Sequence, residues 1–205
     1  MRIGIYGGTF DPIHQGHLIL AETCREACEL DQVWFVVAGA PPHKRGGRTD
    51  VKHRLEMVNL AVAGHPSFRV SEIETLRPGP HYSVETLEAI RRDHPAAELF
   101  FLIGGDSLVD LPQWREPSRI LHLAALVVAN RPGFDPPALA LTADPDLPPQ
   151  PIHHVPIPPV GISSSDLRRR LGEGRSVRYQ VPRAVEAYIA AHGLYPLAGG
   201  GPAPG

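Results

Sequence analysis

Short apolar runs alternate with longer amphipathic stretches from the first residues onward, and this alternation restricts the fold more than any other property of the chain. RIGIYGG, QVWFVVAG, FRVSEIE, ELFFLIGG and AALVVANR have the length and the β-branched or aromatic content of strands. HLILAETCREACEL, VKHRLEMVNLAVAG and SVETLEAIRRDH carry apolar residues at helical spacing, and DSLVDLPQW reads as a further short helix. Strands that are apolar along nearly their whole length need cover on both faces. The expectation is therefore an α/β fold, a doubly wound, mostly parallel sheet with helices on either side.

Residues 132 to 159 change character, with ten prolines that helix interiors and central strands do not accept, and read as a surface excursion. SSSDLRRRLGEG and PRAVEAYIAAHGLY follow as two helices, a small C-terminal helical part. Their starts are marked by Ser163 with Asp166 three residues on, and by Pro182 near a first turn. A chain of 205 residues suits one compact domain, expected over residues 1–195, with residues 196–205 as a disordered tail.

A formal net charge of -2 gives no basic excess of the kind that long nucleic acids demand, so the expected partners are small molecules, and a homo-oligomer stays open. The N-terminus lacks the basic region and cleavage site of a secretory signal. No apolar stretch reaches the roughly 18 residues a membrane helix needs, so the expected location is cytoplasmic. Cys24 and Cys28 stand four apart on a helix without the companions of a zinc site, and read as small buried hydrophobes.

The first strand ends in Gly7 and Gly8, two positions without a Cβ at the carboxyl end of the sheet, where open α/β folds bind ligands. The turn that follows brings Thr9, Asp11, His14, Gly16 and His17 to the start of a helix. His14 and His17, three apart, can face one anion near the exposed amides and the positive end of that helix dipole, which suits a phosphate. A neutral imidazole still donates one N–H, so the role does not require a cation. A metal site is the competing view, but no third ligand of suitable spacing stands nearby.

GGTFDPIHQGH at residues 7–17 resembles the T/HxGH signature of the nucleotidylyltransferase superfamily, and ISSSDLR at residues 162–168 resembles its second signature, ISSTxxR. APPHK, RPGPHYSVETL, IGGDSL, LPQW, NRPG and AYIAAHGLY extend the likeness over nearly all of residues 1–195, to the bacterial nicotinate mononucleotide adenylyltransferases. The resemblance implies a Rossmann-like nucleotidylyltransferase fold. It also implies transfer of the adenylyl group of ATP to nicotinate mononucleotide, giving deamido-NAD and pyrophosphate, with Mg2+ carried by the ATP phosphates rather than by a protein site.

Such a nucleophile is a phosphate monoester with a second pKa near ~6, already ionised at neutral pH, so positioning and charge neutralisation should carry the catalysis. The catalytic assignments are His14 and His17 on the α- and β-phosphates and Arg168 on the leaving pyrophosphate as a planar donor fork. By resemblance Gly7, Gly8, Thr9 and Phe10, the last two through backbone amides, bind ATP together with Gly104, Asp106, Ile162, Ser163 and Ser164. Lys44 is implied on a substrate phosphate, Ser83 and Trp114 on the nicotinate half, and Arg131 as a phosphate contact or a loop anchor. Trp114 reads equally as a partly buried core residue. HYS stands where SYT is usual in the family, which bears on His81 and Ser83. Rival readings are nicotinamide mononucleotide as the acceptor, phosphopantetheine adenylyl transfer, and a nucleotide sensor without chemistry.

Overall fold

A computed structural model describes residues 1–39, 49–130 and 151–197. Lys44, Arg131, most of the proline-rich excursion and the tail beyond residue 197 lie outside the described residues. Six strands, β1 (Arg2–Gly8), β2 (Gln32–Val37), β3 (Phe68–Ser71), β4 (Glu98–Gly104), β5 (Ala125–Asn130) and β6 (Ile152–Pro156), pair in the order β3-β2-β1-β4-β5-β6. Every pairing is parallel. The order reverses direction between β1 and β4, and a crevice opens beyond the carboxyl ends of the strands at such a switch point.

Alternation along each strand sorts its side chains to two cores. Tyr6 of β1 faces a core built with α1 (Gln15–Ala27), α2 (Val51–Val62), α6 (Ser164–Gly172) and α7 (Arg183–Ala191), through Leu20, Cys24, Met57, Val58, Leu167, Val185 and Ile189. Ile3 and Ile5 face the other core, built with α3 (Ser83–Asp93), α4 (Gly105–Asp110) and α5 (Pro117–Leu123) through Val84, Leu87, Ile90, Leu108 and Ile120. The sheet is covered on both sides, the doubly wound arrangement expected from its apolar strands. The C-terminal helices α6 and α7 share their core with α1 and α2.

Cys24 and Cys28 are buried in that core, and burial, helped by the neighbouring Cys28, pushes the Cys24 thiol up to about 12. Both behave as small apolar residues. Three local outcomes differ from the expectations. β6 lies within the segment read as an excursion: as an edge strand it tolerates a proline at its last residue, where a central strand would not. β3 is shorter than FRVSEIE, ending at Ser71. Finally, α5 starts at a proline, where a missing N–H costs nothing, and its Ile120 and Leu121 are buried against the second core. No helix of the described residues is long and apolar enough to cross a membrane.

Candidate active site

A cavity of about 810 Å³ occupies the crevice at the switch point, within the size range of small-molecule sites. Its floor is the end of β1 and the turn into α1. At Gly7 an added Cβ would meet nothing within 4 Å, so the backbone is open to the cavity. Gly8 has the opposite reason to be small: a Cβ there would stand 2.7 Å from the Phe10 ring. Phe10 is fully buried, edge-on to Tyr6 and His17, with its backbone at φ 48°. It is not among the residues that line the cavity; its ring packs beneath them. A non-glycine residue in that left-handed region persists when packing over-determines it, and the aromatic cluster does so here.

His14 is the N-cap of α1 in extended conformation, and its ring stacks on that of His17 with centroids 3.7 Å apart and an interplanar angle of 21°. Gly16 permits the stack, since a Cβ would come within 3.1 Å of the His14 ring. The backbone N–H of His14 donates to Nδ1 of His17 at 3.2 Å. The accepting nitrogen carries no proton, so neutral His17 holds its proton on Nε2 and presents a donor. Burial, reinforced by repulsion from His14, holds the pKa of His17 well below the ordinary imidazole range. His17 is thus a neutral donor at the positive end of a helix, with the His14 ring stacked beside it.

The opposite wall comes from α6. Ser163 caps it, accepting from the Asp166 N–H at 3.2 Å, the pairing that the sequence announced. Ser164 Oγ donates to the Pro12 carbonyl at 2.9 Å, and Arg168 Nη1 donates to the Asp11 carbonyl at 2.7 Å. Arg168 Nη2 also reaches Ser165 Oγ at 3.3 Å. Two motifs more than 150 residues apart thereby become one surface. Ile162, Ser163, Ser164 and Arg168 line the cavity with Gly7, Gly8, Thr9, His14 and His17. Gly104 and Asp106 border it beside β4, while Ser83 and Trp114 lie on its wall with Phe101, Glu74 and His81. Trp114 fits both of its readings, packing edge-on to Phe101 at 6.1 Å and lining the cavity. Among the described residues no group of three or more His, Cys, Asp or Glu is arranged to hold a metal ion.

Arg54 belongs to none of the motifs legible in the sequence. It is buried on the core face of α2, and its guanidinium donates to three main-chain carbonyls, Thr9 at 2.9 Å, Ala38 at 2.8 Å and Thr49 at 3.0 Å. Its signal was a charge at helical spacing with Met57 and Val58, on the apolar side of an amphipathic helix. Arg54→Met keeps most of the stem and takes its donors away from three carbonyls while relieving a buried charge. We expect a net loss of about 2–4 kcal/mol, which for a domain of this size lowers the thermal midpoint by roughly 6–12 °C. A melt within 2 °C of wild type, on the order of the effect of a neutral surface change, would contradict this.

Residues 5–170 match the model of the cytidylyltransferase-like family. A protein of Thermomicrobium roseum named "Probable nicotinate-nucleotide adenylyltransferase" is 51% identical over 195 residues, covering 95% of this chain and 91% of the relative. One of the same name from Thermus thermophilus is 50% identical, covering 95% of this chain and all 100% of the relative. The chain belongs to the nicotinate-nucleotide adenylyltransferase family. The solved structure of the Plasmodium falciparum nicotinic acid mononucleotide adenylyltransferase complexed with NaAD has the same fold, with a TM-score of 0.77 at 21% identity, over 96% of this chain and 98% of that one. In this family member, then, the crevice at the switch point is formed by the two segments that carry the resemblance.

Proposed function

We propose that this chain transfers the adenylyl group of ATP to nicotinate mononucleotide, releasing pyrophosphate and giving deamido-NAD. The observation that carries this reading is the one cavity that the stacked His14 and His17 line together with Arg168, the last tied to the Asp11 carbonyl. The acceptor's phosphate oxygen forms a bond to the α-phosphorus of ATP, and the bond from that phosphorus to the bridging oxygen of the β-phosphate breaks. The acceptor is ionised at neutral pH, so no proton has to be removed. Neutral His17 donates from Nε2 to a phosphate oxygen, His14 stands beside it, and the N-terminal end of α1 adds its dipole. Arg168 holds the departing pyrophosphate.

Thr9 and the main chain of Gly7, Gly8 and Phe10 are assigned to ATP with Gly104, Asp106, Ile162, Ser163 and Ser164. Ser83 and Trp114 are assigned to the acceptor's ring, on the far side of the cavity. Magnesium comes with the triphosphate in this reading, neutralising its charge. The donors facing the phosphates, imidazole and guanidinium, suit phosphate oxygens, and the nearby carboxylate of Asp11 is already engaged by Tyr195 and Thr49. Residues 1–195 are read as one domain, in a cytoplasmic enzyme.

The test is pyrophosphate release from ATP and magnesium with nicotinate mononucleotide and, separately, nicotinamide mononucleotide. We expect kcat/KM for the nicotinate form to be higher by at least about 100-fold, because a site built for a charged carboxylate leaves its donors poorly matched by an amide. Equal turnover of the two would overturn the acceptor assignment, and turnover of neither would overturn the reaction.

A further inference from the structure

The mechanism above leaves one buried polar contact in the cavity floor unused. Asp11 is 4% exposed, and its Oδ1 accepts from the hydroxyl of Tyr195 at 2.6 Å. Tyr195 stands 184 positions away, beyond the end of α7. Helix α7 ends at Ala191, with His192 as its C-cap. Gly193 follows at φ 56°, and the Leu194 N–H returns to the Ile189 carbonyl, the turn that closes a helix end. Tyr195 itself sits at φ 59°, a conformation disfavoured for a residue with a Cβ. Nothing in a helix termination requires a second left-handed residue there. The phenol of this residue reaches the Asp11 carboxylate, and backbone strain of this kind persists where surrounding contacts over-determine it.

What the phenol reaches matters more than how it is held. The Asp11 carbonyl is the acceptor for Arg168 Nη1, and Asp11 Oδ2 also accepts from the Thr49 N–H at 3.5 Å. One residue thus joins the C-terminal segment to the side chain assigned to the leaving pyrophosphate. Burial and the bond to Asp11 raise the pKa of Tyr195, which keeps the phenol protonated and able to donate. Neither Tyr195 nor its segment needs to touch substrate for this.

We infer that Tyr195 is a positioning residue for adenylyl transfer: by holding the Asp11 carboxylate it fixes the carbonyl that orients Arg168 toward the leaving pyrophosphate. This rests on the adenylyl-transfer reading for its catalytic consequence, but its geometric content can be measured without turnover. Tyr195→Phe removes one oxygen and keeps the ring. Titrated with magnesium pyrophosphate by calorimetry, the variant should bind about 5–10-fold more weakly than wild type, the scale of one lost positioning hydrogen bond. In the pyrophosphate-release assay kcat should fall by about 10-fold while KM for the mononucleotide changes less than about twofold, because the acceptor's ring site is untouched.

Asp11→Ala removes the same bond from its other end and serves if the tyrosine variant folds poorly. The double variant should be no weaker in pyrophosphate binding than the worse single one, since both break one link. A purely structural anchor would lower the thermal midpoint and leave pyrophosphate affinity and kcat at wild-type levels, and that result overturns the inference. If wild type itself turns over no mononucleotide, the reaction assignment fails. The calorimetric comparison then still decides the geometry: equal pyrophosphate affinity of wild type and Tyr195→Phe overturns it.

Discussion

His17→Ala should lower kcat by about 10²–10³-fold, the range seen when one preorganised donor to a developing charge is removed. The change takes away a neutral donor whose tautomer is set by the His14 N–H and whose ring is held between His14 and Phe10. A second signature separates this role from that of a cation. The pKa of His17 lies well below 6.5, so the ring is neutral throughout the physiological range. If a protonated His17 were needed, kcat would decline as pH rose past its pKa. With a neutral donor, kcat should instead stay level from about pH 7 to 8.5, and fall only on the acid side, where the acceptor's phosphate takes up a proton near pH ~6.

Stability carries the same sign. The unfolded chain protonates this histidine as pH drops below the ordinary imidazole value, while the folded chain resists until the pH is far lower. The contribution of neutral His17 is therefore complete above about pH 6.5 and is lost as pH falls toward the depressed folded value. His17→Ala should flatten that part of the stability profile. Wild-type kcat in the variant would remove the donor role, and a decline in wild-type kcat between about pH 7 and 8.5 would restore the cation.

The parts of this molecule that were legible in its sequence are those governed by local pattern. RIGIYGG and ELFFLIGG announce buried strands because their residues are apolar regardless of partner, and Ser163 announces a helix start because a cap acts within three residues. The proline-rich segment conceals β6 because proline is tolerated or forbidden according to whether a strand lies at the edge, and strand order is not written locally. The same limit hid the supporting residues of the site. His14, His17 and Arg168 belong to recognisable motifs. Arg54 and Tyr195 act through carbonyls and a carboxylate 45 and 184 positions away, and only the fold brings those pairs together.

Arg168 is where local motif and long-range support meet, and its substitution should have the other largest effect. A guanidinium has five N–H donors. Two of them are directed at the Asp11 carbonyl and Ser165 Oγ, which fixes the plane of the fork at the cavity lining, where it can meet an anion. Arg168→Ala should lower kcat/KM for ATP by about 10³-fold, since it removes both charge and fork from the group that departs. Arg168→Lys is the more informative variant. An ammonium restores the charge without the planar geometry and cannot bond Asp11 and pyrophosphate in one plane, so it should recover no more than about 10-fold of that loss. Pyrophosphate inhibition should weaken in step, because the same donors hold the product after the bond has broken. Steady-state rates with varied ATP and added pyrophosphate measure both quantities. A lysine variant within about twofold of wild type would mean that charge alone suffices at this position, and that the bond to Asp11 serves the docking of α6 rather than the reaction.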